Sequence, residues 1–202
     1  AYRSGIPVDR QAFTVNQACG SGLQAVFCAA RAIRLGEAEG VLAGGTESMS
    51  NTPYLLPRAR WGYRLGHAEL TDGMYRDGFQ DPLSGLIMGE TAEELAAEKR
   101  IDRQAADAYA ARSQNRFETA REAGRFTSEI APITGPGRRG DTVVELDEHP
   151  RSGVTPEGLA NLPTVFRDGG TVTPGNASGI TDGAASLIVT TEAGAARLGL
   201  QI

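Results

Sequence analysis

The sequence has few of the residues on which cross-linked or metal-bound small proteins depend. Its 202 residues include only two cysteines, two histidines and one lysine. Two cysteines cannot build a disulfide framework, so the composition indicates a reducing compartment, and we expect a cytoplasmic protein. No metal site is expected. No apolar run approaches the ~18 residues of a membrane span and no signal pattern opens the chain, so we expect no membrane segment.

Excess positive charge is also missing. The formal net charge is −5, with 22% charged and 40% hydrophobic residues, which is typical of a soluble globular protein and gives no support to a nucleic-acid partner. The basic pair Arg138-Arg139 has Asp141 and Glu145 close by in the sequence and is interpreted as a solvated turn.

Cys19 lies where an extended run is expected to end and a helix to begin. Ala12–Val15 is rich in residues typical of strands, and Leu23–Leu35 has apolar residues at helical spacing, with Gly36 placed to end the helix. Gly20 and Gly22 allow a sharp turn between the two elements.

A thiol at that position meets unpaired N–H groups and the positive end of a helix dipole. Both favour the thiolate, which is the nucleophilic form, so Cys19 is the candidate acyl-accepting nucleophile. The ordinary alternative is a buried cysteine that acts as a small hydrophobe. That alternative fits Cys28 better, since Cys28 lies among alanines inside the predicted helix.

Residues 15–26, the segment VNQACGSGLQAV, resemble the nucleophile signature of the thiolases, the acetyl-CoA acyltransferases. Three further segments resemble thiolase motifs in the same order and spacing: AGGTESMS at 43–50, MGETAE at 88–93 and GNASGITDGAA at 175–185. The resemblance runs across essentially the whole chain.

The resemblance implies an α/β fold, in which two similar halves form a five-layered αβαβα sandwich and a loop domain is inserted into the first half. Alternating strands and helices independently favour a substantial parallel component. We therefore expect an N-terminal core at 1–50, the inserted loop domain at 51–173, and a return to the core at 174–202.

Local patterns predict the remaining elements. They are a strand at Gly40–Ala43 ending in a Gly44-Gly45 turn, a helix at Glu90–Lys99, a helix capped by Asp102 and stopped near Gly124, a tight loop at 135–141 before a strand at Thr142–Leu146, a strand at Ala185–Thr190 and a helix at Glu192–Leu198.

The resemblance also implies that the chain is an internal segment that is inactive alone. In a thiolase, the base histidine and a second catalytic cysteine come from a C-terminal half that has no counterpart here. Cys28 cannot replace that cysteine, because helical geometry places it ~13 Å from Cys19. His67 and His149 are assigned no role.

By this resemblance, an acyl group passes from a 3-ketoacyl-CoA to Cys19 and then to CoA, or the reverse condensation occurs. CoA and acyl-CoA are substrates, and no permanently bound cofactor is expected. The implied contacts are Arg151 at the nucleotide, Phe166 at the adenine, Pro174 and Ser178 along the pantetheine arm, and Met88 and Phe79 near the acyl group. Alternatively, Arg151 pairs with Glu148 or Glu157, and Phe166 is a core residue.

Two positions differ from some members of the family and leave the acyl-chain length open. Ile87 stands where some have histidine, and Gly158 where some have serine. A ketosynthase-like condensing enzyme and a non-catalytic CoA-binding module remain alternatives, although the long insertion and the block at 176–179 favour a thiolase. The intact protein is expected to be a homodimer or homotetramer.

Overall fold

The structure, a computed structural model, describes residues 1–137 and 140–202, so the predicted Arg138-Arg139 turn lies outside the described residues. Contacts divide the chain into two compact units. The first unit comprises Ala1–Thr52 and Asp182–Ile202, and the second comprises Pro53–Thr181. The predicted domain boundaries near residues 50 and 173 stay a prediction.

Five α-helices and six strands are described. The helices are α1 (Ser21–Arg34), α2 (Met88–Lys99), α3 (Arg103–Glu122), α4 (Pro156–Ala160) and α5 (Glu192–Leu198). The strands are β1 (Gly40–Ser48), β2 (Tyr54–Leu55), β3 (Thr71–Asp72), β4 (Ile133–Gly137), β5 (Gly140–Val144) and β6 (Asp182–Thr190). Within the described residues, no helix has the length and apolar character needed to cross a membrane.

The first unit is built on one long antiparallel ladder. Strand β1 pairs with β6 from Gly40 opposite Thr190 to Ser48 opposite Asp182, and α1 packs on this ladder. The buried apolar side chains of this unit are all small: Ala29, Ala43 and Ala195. Small residues at these positions let helix and strand backbones approach closely, but they bury little apolar area.

Strand β1 continues beyond the point where the sequence predicts a turn. It runs through Gly44 and Gly45 to Ser48. A methyl group on Gly44 would collide with the carbonyl oxygen of Ala185 on β6. The prediction of a turn at Gly44-Gly45 is therefore wrong, because at least Gly44 serves close strand approach instead of chain reversal.

Asp182 holds the two strands together at one end of this ladder, where it faces Ser48. Its carboxylate accepts hydrogen bonds from the hydroxyl of Ser50, from the Ser50 N–H at 2.9 Å and from the Ser48 hydroxyl at 3.4 Å. The Ser50 hydroxyl and N–H are the main causes that lower the pKa of Asp182. The residue thus fastens the start of β6 to the chain that leaves β1.

The second unit places α2, α3 and α4 around a partly polar interior. Its buried apolar residues are Ala96, Ala111 and Leu159, and three polar residues, Glu93, Asp107 and Thr173, are buried with them. A five-residue π-helix occupies Tyr75–Phe79, and β2–β3 and β4–β5 form separate two-stranded ladders.

Helix ends follow the sequence signals closely. Asp102 caps α3, because its side chain accepts from the Ala105 N–H at 2.7 Å. Gly36, at φ +73°, follows α1, and the Glu37 N–H reaches back to the Ala32 carbonyl at 2.9 Å. The helix predicted at Glu192–Leu198 is confirmed with the same bounds.

Three predictions of strand and loop are wrong. Residues 12–15 belong to no strand, and Phe13 is 75% exposed, since no described strand pairs with this segment. All three described ladders are antiparallel, so the expected parallel component is absent from the described residues. Of the predicted loop at 135–141, the described residues 135–137 and 140–141 lie in strands β4 and β5, where Pro136 pairs opposite Asp141.

Candidate active site and ligand groove

Cys19 lies in a short loop that two polar side chains hold in place. The Asn16 side-chain oxygen accepts from the Ala18 N–H at 2.9 Å. The Ser21 hydroxyl accepts from the Gln17 N–H at 2.9 Å and donates to the Ala18 carbonyl at 2.7 Å. Sequence reasoning missed these roles, although asparagine and serine beside a helix start are typical of such side-chain-to-backbone turns.

The residue before the thiol has an unusual backbone. Ala18 has φ +47°, in the left-handed region that glycine adopts readily and alanine does not. This conformation costs about 1–2 kcal/mol for a residue with a side chain. Strain of this kind clusters at functional sites, and here it lies directly beside Cys19.

The loop places Cys19 just before the N-terminus of α1, which begins at Ser21. The thiol is free and exposed. The first bond into the helix runs from the Gln24 N–H to the Gly20 carbonyl at 2.9 Å, so the N–H groups of Gly22 and Leu23 have no intrahelical acceptor. The predicted placement of Cys19 at a helix N-terminus is therefore confirmed, while its catalytic role stays a prediction.

Cys28 has a different environment within α1. It is half-buried, and the Gln24 side-chain amide donates to its sulfur at 3.5 Å. Its position inside the helix, away from the strained loop, agrees with the packing role expected from the sequence.

In the second unit, Phe166 lies against the start of α2, the helix that begins with Met88. The Phe166 ring covers Gly89 so closely that a methyl group there would collide with it. Met88 is 52% exposed at the start of α2, and Phe166 is half-buried. Phe166 thus contacts the start of α2 without being fully buried, and the adenine contact and the alternative of a core residue both stay predictions. Phe79 makes an edge contact with Tyr75, with ring centroids 5.7 Å apart.

The segments that carry Arg151 and Ser178 are also neighbours. The His149 ring lies against Gly179, where a methyl group would collide with it. The Arg151 N–H donates to the Gln114 side chain at 3.0 Å. Among the described residues, no carboxylate forms an ion pair with the Arg151 guanidinium, so the predicted alternative of pairing with Glu148 or Glu157 is not seen. Pro174 and Ser178 are both exposed.

Glu93 anchors the segment that leads to Pro174, and sequence reasoning missed it. Its carboxylate, in a residue only 2% exposed, accepts from the Val172 N–H at 2.7 Å and from the Thr171 N–H and hydroxyl at 2.9 Å. Burial raises the pKa of Glu93, but these hydrogen bonds and the charge of Arg167 outweigh it, so the pKa lies below its usual value.

The described residues hold no group of three or more histidine, cysteine, aspartate or glutamate side chains that could bind a metal ion. The residues that the sequence singled out are a thiol beside backbone N–H groups in the first unit and polar and aromatic residues in the second.

Comparison with known proteins decides the family. The family profile described as "Thiolase, N-terminal domain" matches residues 1–193. The chain belongs to the thiolase family.

Among curated thiolase relatives, the acetyl-CoA acetyltransferase of Pseudomonas aeruginosa is 47% identical over 203 aligned residues, covering 100% of this chain and 52% of the relative. That of Cupriavidus necator is 47% identical over 201 residues, covering 99% and 51%. The chain therefore spans about half the length of these relatives.

Solved thiolase structures match equally well. The acetyl-CoA acetyltransferase from Syntrophomonas wolfei has a TM-score of 0.92 at 40% identity, covering 99% of this chain and 50% of that one. The human mitochondrial 3-ketoacyl-CoA thiolase in complex with CoA has a TM-score of 0.88 at 40% identity, covering 99% and 50%. The thiolase fold is thus confirmed for this chain.

Proposed function

We propose that the chain supplies the acyl-accepting cysteine and part of the CoA groove of an enzyme that transfers acyl groups between CoA thioesters. The observation that carries the proposal is the exposed Cys19 thiol, held by a strained loop at the open N-terminus of α1 in a thiolase-family chain. A cysteine at a helix start has the electrostatic setting of an activated nucleophile.

In the thiolytic direction, the Cys19 thiolate attacks the 3-keto carbon of a 3-ketoacyl-CoA. The bond between carbons 2 and 3 breaks, and the departing two-carbon unit takes up a proton and leaves as acetyl-CoA. The acyl group remains as a thioester on Cys19. The thiol of a second CoA then attacks this thioester, loses its proton and releases a shortened acyl-CoA and the Cys19 thiolate.

The Cys19 N–H, two residues before α1, is the proposed donor to the negative charge that develops on the attacked oxygen. The base that takes the thiol proton would come from a C-terminal half. We therefore propose that the chain alone does not turn over.

For the CoA groove we propose the second unit. Arg151 would bind the nucleotide phosphates, Phe166 the adenine, and Pro174 and Ser178 the pantetheine arm, with Met88 and Phe79 nearer the acyl group. The contact between His149 and Gly179 supports this assignment, since it places the segments carrying Arg151 and Ser178 beside each other. Arg151 is exposed and has no ion-pair partner among the described residues, which suits a phosphate ligand.

Acylation of the thiol tests the proposal. The chain is incubated with acetyl-CoA, with and without the C-terminal half of the P. aeruginosa relative, and peptides are mapped by mass spectrometry. We expect acetylated Cys19, slowly with the chain alone and with full thiolysis of acetoacetyl-CoA in the mixture. Cys19→Ser should abolish both signals, and the matched Cys28→Ser should leave them largely intact.

Acetylation at Cys28 in preference to Cys19 would overturn the assignment of the nucleophile. CoA binding without acylation, even with the second half present, would favour the non-catalytic CoA-binding alternative instead.

A further inference from the structure

A second buried carboxylate, Asp107 on α3, connects its own helix to the loop that carries Asn176, 69 residues away in sequence. The residue is 2% exposed, and its two oxygens have different partners, Arg103 on the same helix and Asn176 in that loop. Oδ2 accepts from the Arg103 Nε at 2.6 Å, and Oδ1 accepts from the Asn176 side-chain amide at 2.9 Å.

Through Arg103, Asp107 fixes the end of α4. The Arg103 Nη2 donates to the carbonyl oxygens of Leu159 at 2.7 Å and Leu162 at 2.9 Å. This is the stretch that leads into Phe166. The Leu159 carbonyl also accepts from the Leu162 N–H at 3.0 Å, so the guanidinium adds a link from α3 to a helix end that its own backbone already closes.

Through Asn176, Asp107 fixes the bend that lies between Pro174 and Ser178. The Asn176 amide nitrogen also donates to the Thr171 carbonyl at 2.8 Å, and its oxygen accepts from the Thr173 N–H at 2.8 Å. The two segments meet directly as well, since the side chains of Leu159 and Leu162 lie over Gly175.

We propose that Asp107 is a positioning residue for CoA: its two oxygens set the spacing between the segment carrying Phe166 and the segment carrying Pro174 and Ser178. It touches no ligand in this role. The inference rests on the proposed CoA groove and adds a determinant of its affinity. A buried ion pair such as Arg103–Asp107 adds little net stability. Its hydrogen bonds have a fixed direction, so the pair can hold two segments at a set spacing.

The decisive variant is Asp107→Asn, which keeps the size of the side chain. One of its two acceptor atoms becomes a donor and then faces the donor of either Arg103 or Asn176. Loss of a buried hydrogen bond of this kind is expected to weaken CoA binding about ten-fold or more.

The double variant Asp107→Asn with Asn176→Asp restores a donor–acceptor pair between the two positions. The Thr171 carbonyl then faces a carboxylate oxygen in place of its former donor, and Arg103 keeps a hydrogen-bond acceptor at position 107 but loses its charged partner. We expect this double variant to bind CoA more tightly than Asp107→Asn and less tightly than the unchanged chain, which is the signature of direct coupling.

Calorimetric titration with CoA gives the dissociation constant, and urea unfolding gives the stability of each variant. Asp9→Asn is the matched control, because Asp9 is exposed beside Arg10 at 3.7 Å in the other unit. If Asp107→Asn does not fold, Asn176→Ala, which removes the link from Asp107 to this loop together with the bonds of Asn176 to Thr171 and Thr173, is expected to show the same weakened binding.

Asp107→Asn with reduced stability but an unchanged dissociation constant would show a purely structural role and overturn the inference. A double variant that binds no better than Asp107→Asn would overturn it too. Absence of CoA binding by the unchanged chain would overturn the proposed CoA groove itself, and the inference with it.

Discussion

Glu93 shows how this chain keeps a nearly buried carboxylate ionised. Three donors from Thr171 and Val172 converge on it, and a methyl group on the neighbouring Gly170 would meet its carboxylate at 2.7 Å or less. The glycine is therefore needed for the close approach. Buried carboxylates are tolerated when their oxygens are fully hydrogen-bonded, as here.

Replacing Glu93 by Gln should make the stability of the second unit less sensitive to acid. Because the pKa of Glu93 is lowered in the folded state, its contribution is complete above the unfolded carboxyl pKa of ~4.3 and is lost as the pH falls through the folded value. Urea midpoints of the chain at neutral pH and at about pH 3.5 measure this. Glu93→Gln should be less stable at neutral pH and lose less on acidification.

Glu98→Gln, on the exposed side of the same helix, is the control and should follow the unchanged chain. An acid-induced loss of equal size in Glu93→Gln and the unchanged chain would show that this carboxylate does not carry the pH dependence.

At the scale of elements, the β1–β6 ladder depends on positions without a side chain. Gly44→Ala would drive a methyl group into the Ala185 carbonyl, whereas a methyl group on Gly183, in the partner strand, meets nothing within 4 Å. We expect Gly44→Ala to cost about 1–3 kcal/mol of unfolding free energy and Gly183→Ala to change it little. Chemical denaturation of the two variants side by side tests this, and equal midpoints would contradict it.

Helices were more predictable than strands because their signals are local. A helix start or stop depends on residues within a few positions of it. The ends of α1 and α3 could therefore be predicted from Asp102, Gly36 and the spacing of apolar residues. Strand formation needs a partner, and β6 pairs with β1 across more than a hundred residues. Nothing near Phe13 indicates that its segment lacks a partner, and nothing near Gly44 distinguishes a close approach from a turn.

The same distinction applies to the candidate site. The motif around Cys19 was recognisable because its residues are consecutive. Glu93, Asp107 and Asn176 act through contacts that span tens of residues, and each reads as an ordinary polar residue in its own helix or loop. The structural roles of such residues can be recognised only once the fold is known.

At the scale of the whole chain, the exposed area is large for the mass. The chain of 21.3 kDa exposes 16444 Å², whereas a folded monomer of this mass is expected to expose about 9,100 Å². Leu42 and Ile188 face each other across the β1–β6 ladder and are 55% and 53% exposed. Contiguous apolar surface of this kind drives association.

We therefore expect the isolated chain to self-associate. Sedimentation velocity over a range of concentrations should show species larger than the monomer, and Ile188→Lys should reduce them. Leu65→Lys, at a fully exposed residue in a loop of the other unit, is the control and should not. A stable monomer at all concentrations would contradict the expectation.

The left-handed backbone at Ala18 has a consequence for laboratory evolution of this protein. Selection for heat tolerance alone would favour glycine at this position, because glycine adopts the same conformation without the steric penalty. The same change would loosen the residue that precedes the thiol, so the gain in stability would oppose the organisation of the proposed nucleophile. We therefore expect a library screened only for survival on heating to lose the proposed catalytic activity through substitutions at this position.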